Sequence, residues 1–83
     1  MKNYKKTIID VRSPEEFKNG SVAGSINIPL NEIQQRIEEI KKLPYPIILC
    51  CASGNRSGQA SAYLNMIGIE CENGGSWVSV NNN

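Results

Sequence analysis

The sequence contains no histidine and few aromatic residues, which make up 6% of its 83 residues. Zinc sites in proteins are usually built from cysteine together with histidine, so that class is excluded. A site made of cysteine alone is disfavoured as well, because the spacing of Cys50, Cys51 and Cys71 matches no CxxC pattern. We therefore expect neither a metal nor another cofactor.

Long apolar runs and an excess of one charge are also missing. No stretch approaches the roughly 20 apolar residues of a membrane span, and the first residues lack the apolar core of a secretory signal. Nine basic and eight acidic residues leave a net charge of +1, with no basic cluster interleaved with aromatic residues. We expect a cytoplasmic protein with neither a membrane nor a nucleic acid as partner.

Three cysteines are present, and an odd number cannot all pair within one chain. In a reducing compartment they are expected to be thiols. A disulfide between the adjacent Cys50 and Cys51 would need a distorted peptide, which makes it the rarer case. A redox switch that pairs Cys51 with Cys50 or Cys71 stays open at this point.

Alternating strand and helix signals fill the chain. β-rich runs predict strands at 6–11, 25–29, 46–50 and 69–72. Helices are predicted after the Ser13 cap, from Leu30 to before Pro44, and through Ala60 to Ile67 with Gly68 as the C-cap. A turn is expected at 73–75 and a frayed tail at 80–83.

This order predicts one α/β domain over 1–83 with three layers, in which helices flank a small, mostly parallel sheet. In such sheets the ligand site lies beyond the carboxyl ends of the strands. Residues 50–57 follow a predicted buried strand and are therefore the first candidate for a site.

The loop after this strand combines a cysteine, a glycine and the start of a helix. Cys51 begins the turn, Gly54 relaxes its backbone, and Arg56 and Ser57 lead into the helix. Converging N–H groups and the positive end of a helix form an anion cradle, and the anion could be the thiolate of Cys51 itself. The alternative is that Cys51 is only a small buried apolar residue.

The three cysteines should have different environments. Successive side chains of a strand point to opposite faces, so Cys50 is expected to pack under a helix while Cys51 enters the loop. Cys71 is expected to be a half-buried residue of the last strand.

Three ordered motifs resemble the rhodanese-like family of single-domain sulfurtransferases, and the resemblance as a whole extends over residues 8 to 77. They are the segments 9–17 (IDVRSPEEF), 24–29 (GSINIP) and 51–57 (CASGNRS). The resemblance implies the rhodanese-like fold. It also implies that Cys51 accepts a sulfane sulfur from thiosulfate or a persulfide, carries it as a cysteine persulfide and passes it to a thiol or cyanide.

The resemblance also implies roles for the neighbours of Cys51. The loop residues expected to bind the thiolate and the persulfide are Ala52, Ser53, Gly54, Asn55 and Arg56. Asp10, Arg12 and Ser57 would support the site, although a surface ion pair or a cap explains Asp10 and Arg12 as well. The implied partners are a small sulfur donor and a thiol acceptor, with a protein persulfide as one candidate.

Loop length bears on the reaction class. Four residues separate Cys51 from Arg56, as in sulfurtransferases, whereas the related dual-specificity phosphatases and arsenate reductases carry five. Phosphatase activity is therefore disfavoured. Because Ala52, Ser53 and Asn55 are uncharged, we expect thiosulfate to be a weaker donor than a persulfide.

The sequence departs from the family pattern at three places. Ser21 stands where the family usually has histidine, and the spacing from the glycine pair to Trp77 is short. The customary N-terminal strand and helix are missing, so we expect a sheet truncated at the N-terminus, with an exposed edge that favours a partner. Trp77 is expected to be apolar cover for the core or the loop rim.

A function from another class stays open. Inactive members of the family use the loop only to dock a partner, and a binding module of that kind would keep the same fold. The intact Cys51 and Gly54 favour the enzyme.

Overall fold

A computed structural model describes residues 6–81, and the structural statements below concern that part of the chain. It contains one sheet of four parallel strands. The strands are β1 (Thr7–Asp10), β2 (Ile26–Asn27), β3 (Ile47–Cys51) and β4 (Glu72–Ser76), in the order β2-β1-β3-β4. The predicted α/β class with a parallel sheet is confirmed.

Four α-helices connect and flank the strands. They are α1 (Pro14–Lys18), α2 (Ile37–Lys41), α3 (Asn55–Met66) and α4 (Trp77–Asn81). The start of α1 follows the predicted signal, since Ser13 caps it and the Glu16 carboxylate accepts the Ser13 N–H in a capping box. Within residues 6–81 no helix has the length and apolar character needed to cross a bilayer.

The core lies on one face of the central strand pair. Ile9 of β1 is in register with Leu49 of β3, so their side chains point to the same face. The buried residues that pack with them come from the helices and connections, namely Ile28, Ile33, Ile40, Ala60, Leu64 and Ile69. Cys51 extends this face to the carboxyl end of β3, while Cys50 and Ile48 point to the other side.

The segment predicted as one helix from Leu30 is broken into three pieces. Two 3₁₀ turns, Leu30–Glu32 and Gln34–Arg36, precede the short α2. Arg36 interrupts the helix with φ −114° and ψ 24°. Three-residue steps between apolar residues fit 3₁₀ turns as well as α-helix, so Ile33 and Ile40 are buried either way and the spacing alone could not separate the two.

Helix α3 ends as the sequence predicts, with a glycine just beyond it. Gly68 has φ 94°, and its N–H donates to the carbonyl of Asn65 while the N–H of Ile69 donates to the carbonyl of Leu64. These two bonds form a Schellman motif and bring the apolar Ile69 back against the helix.

The last strand was predicted at 69–72 and is wrong in position, since β4 begins at Glu72. The Schellman motif uses Ile69 to leave the helix, and Cys71 precedes the strand instead of lying in it. The residues predicted as a turn, 73–75, lie within β4. Gly75 has φ 86°, and the register shifts between Leu49 and Cys51, so a bulge replaces the expected turn.

Part of the predicted tail is helical. Val80 and Asn81 belong to α4, whereas residues 82 and 83 lie outside the described part of the chain. Val80 approaches Gly74 and Ile48 on the face opposite the main core, so helices flank the sheet on both sides as the three-layer prediction requires.

Gly74 of β4 lies where there is no room for a side chain. A Cβ there would lie 2.8 Å from Cγ2 of both Ile48 and Val80. We expect Gly74→Ala to cost about 2 to 3 kcal/mol of unfolding free energy through overpacking. Gly24→Ala, where φ is 82° and the space is open, should cost about 1 kcal/mol from backbone strain alone. Urea denaturation of both variants measures the difference, and equal losses would contradict the close approach of β4.

Candidate active site

Cys51 is the last residue of β3, and its sulfur lies in a ring of hydrogen-bond donors. The residue is 1% exposed. The N–H of Gly54 lies 3.0 Å from Sγ, and the N–H of Ser57 lies 3.4 Å from it. Gly54 adopts φ 103° and caps α3, so the chain turns from strand into helix around the sulfur. A negative charge on Sγ would therefore face the positive end of α3.

The donors around Sγ change its acidity. Burial by itself raises the pKa of the Cys51 thiol, but the Ser57 hydroxyl and the N–H groups of Ser57, Gly54 and Ser53 stabilise the thiolate and lower the pKa to about 7. A substantial fraction of Cys51 is therefore thiolate at neutral pH. The thiolate is the form of cysteine that acts as a nucleophile.

The Ser57 hydroxyl has two acceptors and one proton. Its Oγ lies 3.4 Å from Cys51 Sγ and 2.6 Å from Asn73 Oδ1. The shorter distance places the proton towards Asn73 while Cys51 is a neutral thiol. When the thiolate forms, the hydroxyl can rotate and donate a hydrogen bond to Sγ instead.

Asn73 of β4 fastens the loop from the neighbouring strand. Its Oδ1 accepts from the Ser57 hydroxyl and from the N–H of Gly75 at 3.0 Å, and its Nδ2 donates to the Gly54 carbonyl at 3.1 Å. The sequence predicts only a turn at Asn73 and gives no sign of this role. No local pattern could have found it, because the contacts depend on the pairing of β4 with β3.

Asp10 and Arg12 form a buried ion pair at the carboxyl end of β1. Their side chains are 0% and 6% exposed, and Arg12 Nη2 lies 2.7 Å from Asp10 Oδ2. Nη2 also donates to the Gly20 carbonyl. The Trp77 ring lies 4.8 Å from Arg12 Cζ and covers the guanidinium. The pair is thus internal, not a surface ion pair, and Trp77 covers it.

The other two thiols differ from Cys51. Cys50 is fully buried, and burial together with the charge of Asp10 raises its pKa to about 12. Burial also raises the pKa of Cys71, whose Sγ lies 3.6 Å from the Ser61 carbonyl. All three cysteines are free thiols. At neutral pH only Cys51 has substantial thiolate character.

Arg56 turns towards α1 instead of towards the sulfur. Its guanidinium makes two hydrogen bonds to the Glu16 carboxylate, at 2.8 and 3.0 Å. These bonds, with the Ser13 N–H, lower the pKa of Glu16 to about 2. In the sequence, Glu16 stands out only as part of the segment 9–17. Its partner lies 40 residues away, so no spacing rule connects them.

The remaining loop residues lie at the rim. Ala52, Ser53 and Asn55 are exposed. In the part of the chain that the structure describes, the N–H groups of Ala52, Asn55 and Arg56 make no hydrogen bond to Cys51 Sγ. Residues 6–81 contain no group of three or more Asp, Glu, Cys or His side chains that could hold a metal ion.

Comparison with known proteins gives one family. A family model described as a rhodanese-like domain matches residues 1–80. The thiosulfate sulfurtransferase PspE of Escherichia coli is 39% identical over 69 residues, which is 81% of this chain and 66% of that protein. Protein YqhL of Bacillus subtilis is 44% identical over 62 residues, which is 74% of this chain and 48% of YqhL. The chain thus spans about half to two thirds of the length of these relatives.

Solved structures agree with the fold. A structure described as a rhodanese with anions from Escherichia coli superposes with a TM-score of 0.80 at 36% identity, and the match covers 89% of each chain. A rhodanese-like domain protein from Staphylococcus aureus gives 0.79 at 29% identity, over 88% of this chain and 71% of that one.

The low pKa of Cys51 can be measured directly. Thiolate absorbance at 240 nm should show a transition near pH 7 that disappears in Cys51→Ala, while Cys50 and Cys71 titrate at higher pH. Ser57→Ala removes one donor to the thiolate and should move the transition to higher pH. An unchanged midpoint in Ser57→Ala would contradict the contribution of the hydroxyl.

Asn73→Ala should loosen the loop. The loss of its hydrogen bonds to the loop is expected to speed hydrogen exchange of the Gly54 and Ser57 amides by about 5- to 30-fold, since a net hydrogen bond contributes about 1 kcal/mol and two are lost. Asn65→Ala is the matched control, because Asn65 bridges the backbone of Cys71 to α3 away from the loop. Equal exchange rates at Gly54 in the two variants would contradict the role of Asn73.

Proposed function

The chain belongs to the rhodanese-like family, and on that premise we propose that it is a sulfurtransferase that carries sulfane sulfur as a persulfide on Cys51. The observation that carries the proposal is the ring of donors around Cys51 Sγ, with a pKa of about 7. The name of PspE, a thiosulfate sulfurtransferase, supports the same reaction class.

The first displacement loads the sulfur. The Cys51 thiolate attacks the outer sulfur of thiosulfate, a new S–S bond forms, and the bond to the sulfonate sulfur breaks with its electron pair on the departing sulfite. With a persulfide donor the leaving group is a thiolate. Either way Cys51 becomes a persulfide anion, and no external oxidant is consumed.

The second displacement unloads it. The thiolate of an acceptor attacks the outer sulfur of the Cys51 persulfide, which yields a new persulfide on the acceptor and returns the Cys51 thiolate. Cyanide as acceptor yields thiocyanate. The negative charge moves between the outer sulfur and Sγ in each step. The hydrogen-bond donors around Sγ are fixed before the reaction, so they stabilise the charged species without rearrangement.

The supporting residues divide by position. Ser53, Gly54 and Ser57 stabilise the charge on Sγ, and Asn73 holds Gly54 and Ser57 in place. The exposed Ala52 and Asn55 with Arg56 form the rim that a donor or acceptor meets first. Asp10 and Arg12 act as positioning residues that fix the end of β1 beside β3, since the Val11 N–H donates to the Cys50 carbonyl.

The donor and acceptor remain small sulfur compounds in this proposal. A persulfide donor is favoured over thiosulfate, because the exposed rim residues Ala52, Ser53 and Asn55 carry no positive charge that would attract a dianion. A protein that carries a persulfide is a further candidate donor beside these small compounds. A redox switch is less favoured, since the pKa of Cys50 and of Cys71 is raised and neither forms a thiolate readily.

The proposal is tested by intact-protein mass spectrometry after exposure to thiosulfate or an alkyl persulfide. We expect a gain of one sulfur atom that peptide mapping locates on Cys51, and cyanide should remove it. Cys51→Ala should gain nothing, whereas Cys71→Ser, which alters the partly exposed thiol, should behave like the unchanged protein.

Two results would contradict the proposal. The absence of any sulfur adduct with all donors would leave a binding module as the better account. A fall in the thiol count on mild oxidation, with loss of that fall in Cys71→Ser, would instead support the redox switch.

A further inference from the structure

Arg56 is the only formally charged side chain in the loop 51–57. Both of its contacts to Glu16 are charge-assisted, and they use the two carboxylate oxygens separately, at 2.8 and 3.0 Å. This two-point arrangement is the strong form of an arginine–carboxylate pair. The positive charge next to the sulfur site is therefore paired before any substrate arrives.

Glu16 cannot easily leave Arg56, because it is fixed from its other side. The Ser13 N–H donates to Glu16 Oε1 at 2.9 Å, and the Glu16 N–H donates to Ser13 Oγ, so the carboxylate belongs to the capping box of α1. The side chains of Arg56 and Glu16 are 36% and 38% exposed. A carboxylate fixed in this way keeps its charge beside the guanidinium throughout the reaction.

We propose that Glu16 is a specificity-determining residue that neutralises Arg56 and so selects against donors with two negative charges. The inference rests on the proposed sulfurtransferase function and names its substrate class. The preferred donors are those that present the sulfane sulfur with a single negative charge or none, such as alkyl persulfides and thiosulfonate anions, in preference to dianionic thiosulfate.

Coulomb's law gives the size of the discrimination. The energy of attraction between an anion and Arg56 is proportional to the charge of the anion. The factor by which this attraction strengthens binding is therefore, for a dianion, the square of the factor for a monoanion. With Glu16 in place both factors are close to one. If Glu16 were neutral, a monoanion would gain about threefold and a dianion about tenfold, at separations of several ångströms in a largely aqueous environment.

Glu16→Gln removes the charge and keeps the local fold. Glutamine serves at the same position of a capping box, so α1 should keep its start. Glu39→Gln is the matched control, because Glu39 forms an equally two-pointed pair with Arg36 on the distant α2 segment and the change in net charge is identical. Any effect that both variants share is due to net charge and not to Arg56.

The donors in the experiment differ by one charge. Methanethiosulfonate anion has a methyl group in place of one oxygen of thiosulfate, and the same S–S bond breaks, with a sulfinate leaving instead of sulfite. In Glu16→Gln we expect kcat/KM to rise about tenfold for thiosulfate and about threefold for methanethiosulfonate at low salt, and the gains should shrink as ionic strength rises. Glu39→Gln should change neither.

A second readout does not depend on sulfur transfer. Iodoacetate and iodoacetamide are similar in size but differ by one negative charge. The ratio of their alkylation rates at Cys51 therefore reports the local attraction for anions and does not depend on how accessible the sulfur is. This ratio should rise about threefold in Glu16→Gln. Adding Arg56→Gln to Glu16→Gln should remove the gains in this ratio and in kcat/KM.

The outcomes separate the two proposals. Equal gains for both donors, or none, with an unchanged alkylation ratio would overturn the role of Glu16 while sulfur transfer stands. A raised alkylation ratio in a protein that takes up no sulfur from any donor would overturn the proposed function. Glu16 would then neutralise Arg56 without selecting a sulfur donor.

Discussion

The sulfur of Cys51 is almost fully withdrawn from water, and a thiolate at such a position needs fixed donors in place of solvent. The N–H groups of Gly54 and Ser57 supply them. Because these groups belong to the turn into α3, they are held by the backbone and not by mobile side chains. The geometry of the sheet end, the left-handed Gly54 and the start of α3 all serve this one requirement.

The same requirement explains why β4 approaches β3 so closely. Asn73 reaches the Ser57 hydroxyl and the Gly54 carbonyl only because glycine at 74 and the bulge at Gly75 let β4 pack against β3. The buried Asp10–Arg12 pair closes the other side of the sheet end under the ring of Trp77. Stability and site geometry are therefore coupled through a few buried polar contacts, each of which is satisfied within the described part of the chain.

The parts of the fold that depend on local signals could be predicted from the sequence. The Ser13 cap, the buried strands around Ile9 and Leu49, and the passage from Cys51 through Gly54 into a helix follow from residue type and spacing. The separate environments of Cys50 and Cys51 follow from strand alternation.

The parts that depend on contacts distant in sequence could not be predicted. The position of β4 follows from the Schellman motif at the end of α3 and from close packing at Gly74. The roles of Asn73 and Glu16 arise from partners 16 or more residues away, on other elements. Arg56 illustrates the limit most clearly, since its sequence position suggests a free anion-binding charge and its side chain is paired with Glu16.

In the proposed reaction, the ring of hydrogen-bond donors around Cys51 holds a transferable sulfur. A crystal structure of the protein after reaction with one equivalent of a sulfane-sulfur donor tests it most directly. We expect a second sulfur bonded to Cys51 Sγ, surrounded by the loop N–H groups, with Cys50 and Cys71 unmodified. An unmodified Cys51, or a sulfur carried on Cys71 instead, would contradict it.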